Sequence, residues 1–217
     1  MTRKKTKTQC FTKRGSYFGN IWWVHSYKNQ KDFTVHSDRE LAHWILFLEF
    51  NQNVNRFDLD PPIRVSPGTG EKLQYSAEVQ YKDGALEWRK VRTSWEGDSA
   101  QELLRQYQLL AEEHRVAFSA WSDVDFIPQK YKIMPLLRVA ACLSVGKRYR
   151  PPVGLRQDAI LHIREKSLGT YKEFLTALSE YDVSYVHHEF AKFYADGIID
   201  VEISTSFFAE DTRWALL

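Results

Sequence analysis

Cysteine is almost missing from this 217-residue sequence: Cys10 and Cys142 stand far apart, in no ligand-type spacing. That excludes a disulfide framework and leads to the expectation of reduced thiols in a cytoplasmic compartment. No run of about 18 apolar residues occurs, which excludes a membrane-spanning helix. The basic N-terminus is followed by no apolar segment, so a secretory signal is not expected. Seven histidines are present, none paired at metal-ligand spacing. Internal repeats and low-complexity tracts are absent, and the net charge is only +2.

What is present describes a folded protein. At 43% hydrophobic and 27% charged, the composition is that of an ordinary globular chain. The length suffices for one large domain or two small ones. The charge is unevenly placed. Arg3, Lys4, Lys5, Lys7, Lys13 and Arg14 crowd the first fourteen residues with no acid among them. A second basic knot, Lys147-Arg148-Tyr149-Arg150, precedes Pro151-Pro152. Such clusters release counterions on meeting phosphates, although each alone also fits a solvated tail or linker.

Residues 1–20 read as a flexible basic arm. Residues 21–35 admit two short strands or an irregular approach. Residues 37–50 form a helix, opened by the capping box Ser37…Glu40, with Leu41, Trp44, Ile45 and Leu48 on one face. Residues 54–65 are extended, Gly68-Thr69-Gly70 is a turn, and residues 72–82 and 86–92 form a hairpin around Asp83-Gly84. A helix over 99–114 and a strand over 116–121 complete an α/β unit spanning 21–146, which ends in a helix at 129–145, bent or begun near Pro135. Residues 147–154 read as a linker. Residues 155–217 carry helices over 158–168, from Thr170 and from Asp182, then strands over 198–203 and 207–215. Three helices followed by a β-hairpin make the winged-helix plan. The fold class expected from this order is α/β, followed by a C-terminal winged-helix domain.

The chemistry-bearing residues lie between 37 and 92. Glu40 sits on a helix and Glu78 on a strand, and Lys90-Val91-Arg92 ends the next strand. Acid on helix, acid on strand, then two polar residues flanking an apolar one is how metal-dependent nucleases of the restriction-endonuclease-like fold assemble a site, so the first unit is expected to be a restriction-endonuclease-like mixed sheet flanked by helices. Alternation sends Leu86, Trp88, Lys90 and Arg92 to one sheet face. On the third helix of the C-terminal unit, Ser184, Tyr185, His188 and Lys192 are expected on the exposed side. There they could touch DNA or protein.

Taken in order, these pieces resemble the TnsA endonucleases, cutting subunits of heteromeric cut-and-paste transposases. The matching pieces are Ser37-Asp38-Arg39-Glu40-Leu41-Ala42, Leu48-Glu49-Phe50, Val54-Asn55-Arg56-Phe57, Pro61, residues 75–81, Lys82-Asp83-Gly84, Lys90-Val91-Arg92, Leu104-Arg105-Gln106-Tyr107 and the C-terminal unit. The resemblance covers most of the chain from Ser37 onward. It implies a subunit that binds transposon ends and makes the 5′ cuts with Mg²⁺ or Mn²⁺. Its partners would be a transposase and a regulator ATPase. The setting would be the bacterial cytoplasm, nucleoid-associated when bound, with no membrane partner.

Carried onto this chain, the resemblance makes Glu40 and Glu78 the metal ligands, with Lys90 and Arg92 in the catalytic motif. Lys4, Lys5, Lys147, Arg148, Arg150, Tyr185, His188 and Lys192 would touch DNA. The pattern is substituted. Glu78 stands where the family has an Asp, and its extra methylene displaces the oxygens by about 1.5 Å. A shift of one or two residues would move that match to Ser76. Lys90 stands where the family has Gln or Glu, and an ammonium there repels a divalent ion. Arg92 replaces a Lys and stays protonated, forking onto phosphates. Two main readings follow: a metal-dependent endonuclease, or a catalytically inactive DNA-binding and assembly scaffold. A weaker third is a DNA-binding regulator using the winged helix alone.

Overall fold

A computed structural model describes residues 20–66, 70–203 and 206–217. The basic arm, the Gly68-Thr69 turn and Ser204-Thr205 lie outside these residues. The chain opens with the hairpin β1 (Trp22–Ser26) and β2 (Lys31–Val35), so the two-strand alternative holds at 21–35. Helix α1 (Asp38–Phe47) follows. Then come β3 (Val54–Asp58), the two-residue strands β4 (Arg64–Val65) and β5 (Lys72–Leu73), β6 (Ala77–Tyr81) and β7 (Leu86–Val91). Helix α2 (Asp98–Glu113) and β8 (Ala117–Trp121) complete this half.

The main sheet runs β3-β6-β7-β8, antiparallel except for the parallel β7–β8 pair that the α2 crossover creates. The expected mixed sheet flanked by helices is therefore present. Strand alternation sorts its faces. Ala77, Val79, Arg89 and Val91 lie on the α1 side, where Val91 packs with Ala42 and Arg89 reaches His43. Trp88 packs on the other side with Tyr107, Leu110 and Ala111 of α2.

Next come α3 (Asp123–Phe126), a 3₁₀ turn (Ile127–Lys132) and α4 (Ile133–Gly146). The single helix expected over 129–145 is thus divided. Pro128 lies in the first turn of the 3₁₀ segment, and Pro135 in the first turn of α4, where its missing N–H costs nothing.

The C-terminal part contains α5 (Leu155–Lys166), β9 (Leu168–Thr170), α6 (Tyr171–Ala177), α7 (Val183–Ala195), β10 (Ile199–Val201) and β11 (Arg213–Leu216). Its sheet is antiparallel, ordered β10-β11-β9. Strand β9 was not expected. Ser167 turns left-handed, at φ 63°, and ends α5 so that residues 168–170 can pair with β11. The Thr170…Glu173 capping box forms completely, and Gly197, at φ +70°, stops α7. Phe207 and Phe208, expected in a strand, instead anchor a loop in the aromatic core around Phe190.

One apolar cluster joins Leu41, Ile45, Val54 and Val79 of the first half to Val139, Leu143, Phe174, Val186 and Phe190. Each such side chain contributes about 1.5–3 kcal/mol on full burial. Helix α4 lies between α1 and α7 and supplies both with partners. Residues 150–153 adopt no helix or strand, but the core is continuous past them.

Candidate functional site

Helix α1 brings Glu40 into place. Ser37 caps it, its Oγ accepting the Glu40 N–H at 3.2 Å. The Glu40 carboxylate reaches back to the His36 N–H at 3.3 Å, one residue before the partner a capping box would use. The acid is half-buried at the helix start.

Strand β7 delivers the cations. Lys90 is half-buried, and its Nζ donates to the Gln74 carbonyl at 2.6 Å and lies 5.5 Å from the Tyr107 ring centroid. Tyr107 Oη donates to the same carbonyl at 3.0 Å. Burial lowers the Lys90 pKa below the ordinary lysine range. The Glu40 carboxylate offsets part of that shift, and the Arg92 guanidinium adds to it. Lys90 thus lies within reach of the charges of both Glu40 and Arg92, although α1 and α2 cover opposite faces. The Arg92 guanidinium also stands 5.2 Å from the Trp95 ring. Two cations thus stand near the end of β7, Lys90 beside Tyr107 and Arg92 beside Trp95.

Glu78 belongs to a different set of contacts. It pairs with Trp88 across the sheet, two positions before Lys90. Its Oε2 accepts from Arg64 Nη2 at 2.5 Å and from Trp88 Nε1 at 2.8 Å. The Arg64 guanidinium also stacks 3.8 Å over Trp88. Ser76, the alternative match, brackets Lys90: its N–H donates to the Arg89 carbonyl and its Oγ accepts the Val91 N–H.

This donor set does not suit Mg²⁺ or Mn²⁺. Such ions need several oxygen ligands in near-ideal geometry. Near Lys90 stand one carboxylate, a carbonyl already bonded to an ammonium, and a hydroxyl engaged with the backbone. The second acid is held by arginine and tryptophan. Among the described residues no group of three or more His, Cys, Asp or Glu could hold a metal ion. The arrangement suits an anion instead: a phosphate could take the Lys90 and Arg92 donors, with flat aromatic rings beside it.

The remaining candidates scatter. Lys4 and Lys5 lie outside the described residues. Lys147 Nζ sits 3.5 Å from Asp32 of the first hairpin, and Arg148 and Arg150 are exposed. On α7 the expected exposed side needs correction. His188 is buried: it packs against Gly146 so closely that a Cβ there would lie 1.9 Å from its Nδ1. Tyr185 is half-buried, 5.3 Å from the Tyr149 ring. Lys192 ion-pairs at 2.9 Å with Glu189, a buried acid also held by Arg156 at 2.9 Å. Much of this face of α7 is thus used internally, against α4 and the basic knot.

A separate cavity of about 460 Å³ opens on the outer face of the C-terminal sheet, lined by Asp200, Glu202, Arg213 and Trp214. Its acids make it a poor phosphate site. No helix of the described residues is long and apolar enough to cross a membrane. No protein-family model matches the sequence, and comparison with curated proteins finds no match.

Sequence reasoning missed Arg64 and Gln74 and took Tyr107 only as core. Arg64 carries no local signal, because its role depends on a fold-level approach to Glu78. Gln74 acts through its carbonyl, which no side-chain pattern reports.

Proposed function

We propose that this protein is a TnsA-like subunit that binds DNA and serves assembly, its nuclease-type site holding backbone phosphate instead of metal. The element order α1-β3-β6-β7-α2-β8, with three antiparallel strands and a parallel fourth, supports a restriction-endonuclease-like scaffold. The order α5-β9-α6-α7-β10-β11 supports a winged helix. The α7 contacts favour a structural or protein-binding use of that unit over groove reading.

The observation that carries the reading is Lys90. By the resemblance it stands where the family has a metal ligand; its ammonium bonds the Gln74 carbonyl within reach of the charges of Arg92 and Glu40. Those groups attract a phosphodiester and repel a divalent ion.

Duplex DNA tests it. Lys90→Gln/Arg92→Gln weakens binding and reduces the salt slope by about two, since each phosphate contact contributes about 0.9. The wild-type protein leaves supercoiled DNA un-nicked in Mg²⁺ or Mn²⁺, with or without a partner transposase. Metal-dependent nicking abolished by Glu40→Ala or Glu78→Ala would overturn the reading and restore the endonuclease alternative.

A further inference from the structure

The main sheet ends differently at its two edges. At β3 the outer edge is occupied. Asn29 Oδ1 accepts the Phe57 N–H at 3.2 Å, and Lys28 Nζ donates to the Val54 carbonyl at 3.0 Å. The ladder there also shifts register between Val54 and Arg56. Side-chain covers and bulges of this kind keep an edge from pairing with another chain. Strand β8 has a different character. Its five residues, Ala117-Phe118-Ser119-Ala120-Trp121, pair with β7 without a register shift and include no charge and no proline.

The ladder fixes which groups face outward. Arg92 N–H donates to the Trp121 carbonyl, so the Trp121 backbone faces β7. Alternation turns Ala117 and Ser119 the same way, and turns the N–H and C=O of Phe118 and Ala120 to the open edge. Among the described residues no strand pairs with that edge, and α2 packs over one face of β8.

The strand's own sequence selects the occupant. Antiparallel pairing of β8 with itself about Ser119 sets Phe118 opposite Ala120 and Trp121 opposite Ala117. Each large ring then meets a methyl group on the same face of the sheet. Phe118 and Ala120 become hydrogen-bonded partners, and Ser119 faces Ser119 in the closer, non-hydrogen-bonded pair. Phe118 already packs with Tyr107 and Trp121 with Phe47, so both rings are positioned before pairing. Just beyond the strand, exposed Arg115 comes opposite Asp123, an unlike pair at each end. Glu113 and Asp125 stay on α2 and α3, off the strand line.

We propose that β8 pairs antiparallel with β8 of a second copy about Ser119, joining two four-stranded sheets into one. A two-fold pairing closes on itself, so the assembly stops at a dimer. Lys90 lies opposite Ala120 on the neighbouring strand, so the dimer brings both Lys90 side chains to one side of the sheet, their Cα atoms about 16 Å apart. The pairing stands whether or not phosphate binds there.

Sedimentation equilibrium of the full chain and a cysteine cross-linking pair test this. The wild type sediments as a concentration-dependent dimer. Ala120→Pro removes an outward N–H and leaves the β7 ladder intact, so it raises the dimer dissociation constant at least about tenfold. Circular dichroism checks that the variant is folded. In a Cys10→Ser/Cys142→Ala background, Ser119→Cys cross-links on mild oxidation, because the facing Cα atoms would stand about 4.5 Å apart. Ala117→Cys, opposite a tryptophan, does not. Should Ala120→Pro unfold the chain, the cross-linking pair decides alone. A monomeric wild type, a dimer that tolerates Ala120→Pro, or equal cross-linking at both positions overturns the proposal. For a monomer, hydrogen exchange at the Phe118 and Ala120 amides then names the other occupant. Slow exchange assigns the edge to another stretch of this chain, and fast exchange leaves it to a different protein.

Discussion

Lys90 is the side chain on which the proposed phosphate site turns. Its ammonium is half-buried, bonded to a carbonyl and placed beside a guanidinium. Because burial lowers its pKa, it loses its proton at a lower pH than an ordinary lysine does, and its attraction for phosphate goes with it. DNA affinity of the wild type should therefore fall on raising the pH from 8 to 10, while Lys90→Arg, which stays charged, retains more. Anisotropy titrations of the two proteins across that range measure the difference, and parallel curves would count against the Lys90 contact. The sequence pointed to Glu40, Lys90 and Arg92 because they lie on two strongly patterned elements. It did not report what holds Glu78. That acid's partner, Arg64, lies fourteen residues away on a two-residue strand with no periodicity to read.

Elements were legible where one face is apolar and the ends carry caps. The helices from Ser37, Thr170 and Asp182 and the 83–84 hairpin are where the sequence puts them. Helix α7 exposes the weakness of that method. Its Val186, Phe190 and Phe193 mark one buried stripe, but His188 and Glu189 are buried as well. A polar side chain reads as surface unless its partners are known, and these come from α4 and α5. The contact is tight enough to test. Gly146→Ala should destabilise the protein by about 1–3 kcal/mol, as overpacking does, measured by urea unfolding. Adding His188→Ala should recover part of that loss, giving a non-zero coupling in the double-mutant cycle.

At the scale of the whole molecule, the sequence suggested two units and a linker at 147–154. The Pro- and Gly-rich composition carries that expectation, but composition does not report which side chains meet across a break. The structure gives both sides one apolar cluster, with α4 between α1 and α7. Lys147 is also tied to Asp32 of the first hairpin. A fragment covering residues 20–146 should therefore fail to unfold cooperatively, since it would expose Leu136, Val139 and Leu143. The full chain should give a single calorimetric transition. Two independent transitions, or a stable fragment, would contradict the shared core. The proposed phosphate site at the end of β7 and the C-terminal unit share that core, so their separation is set when the chain folds. Any assembly gripping both must match that distance, as a key blank must match its lock before any teeth are cut.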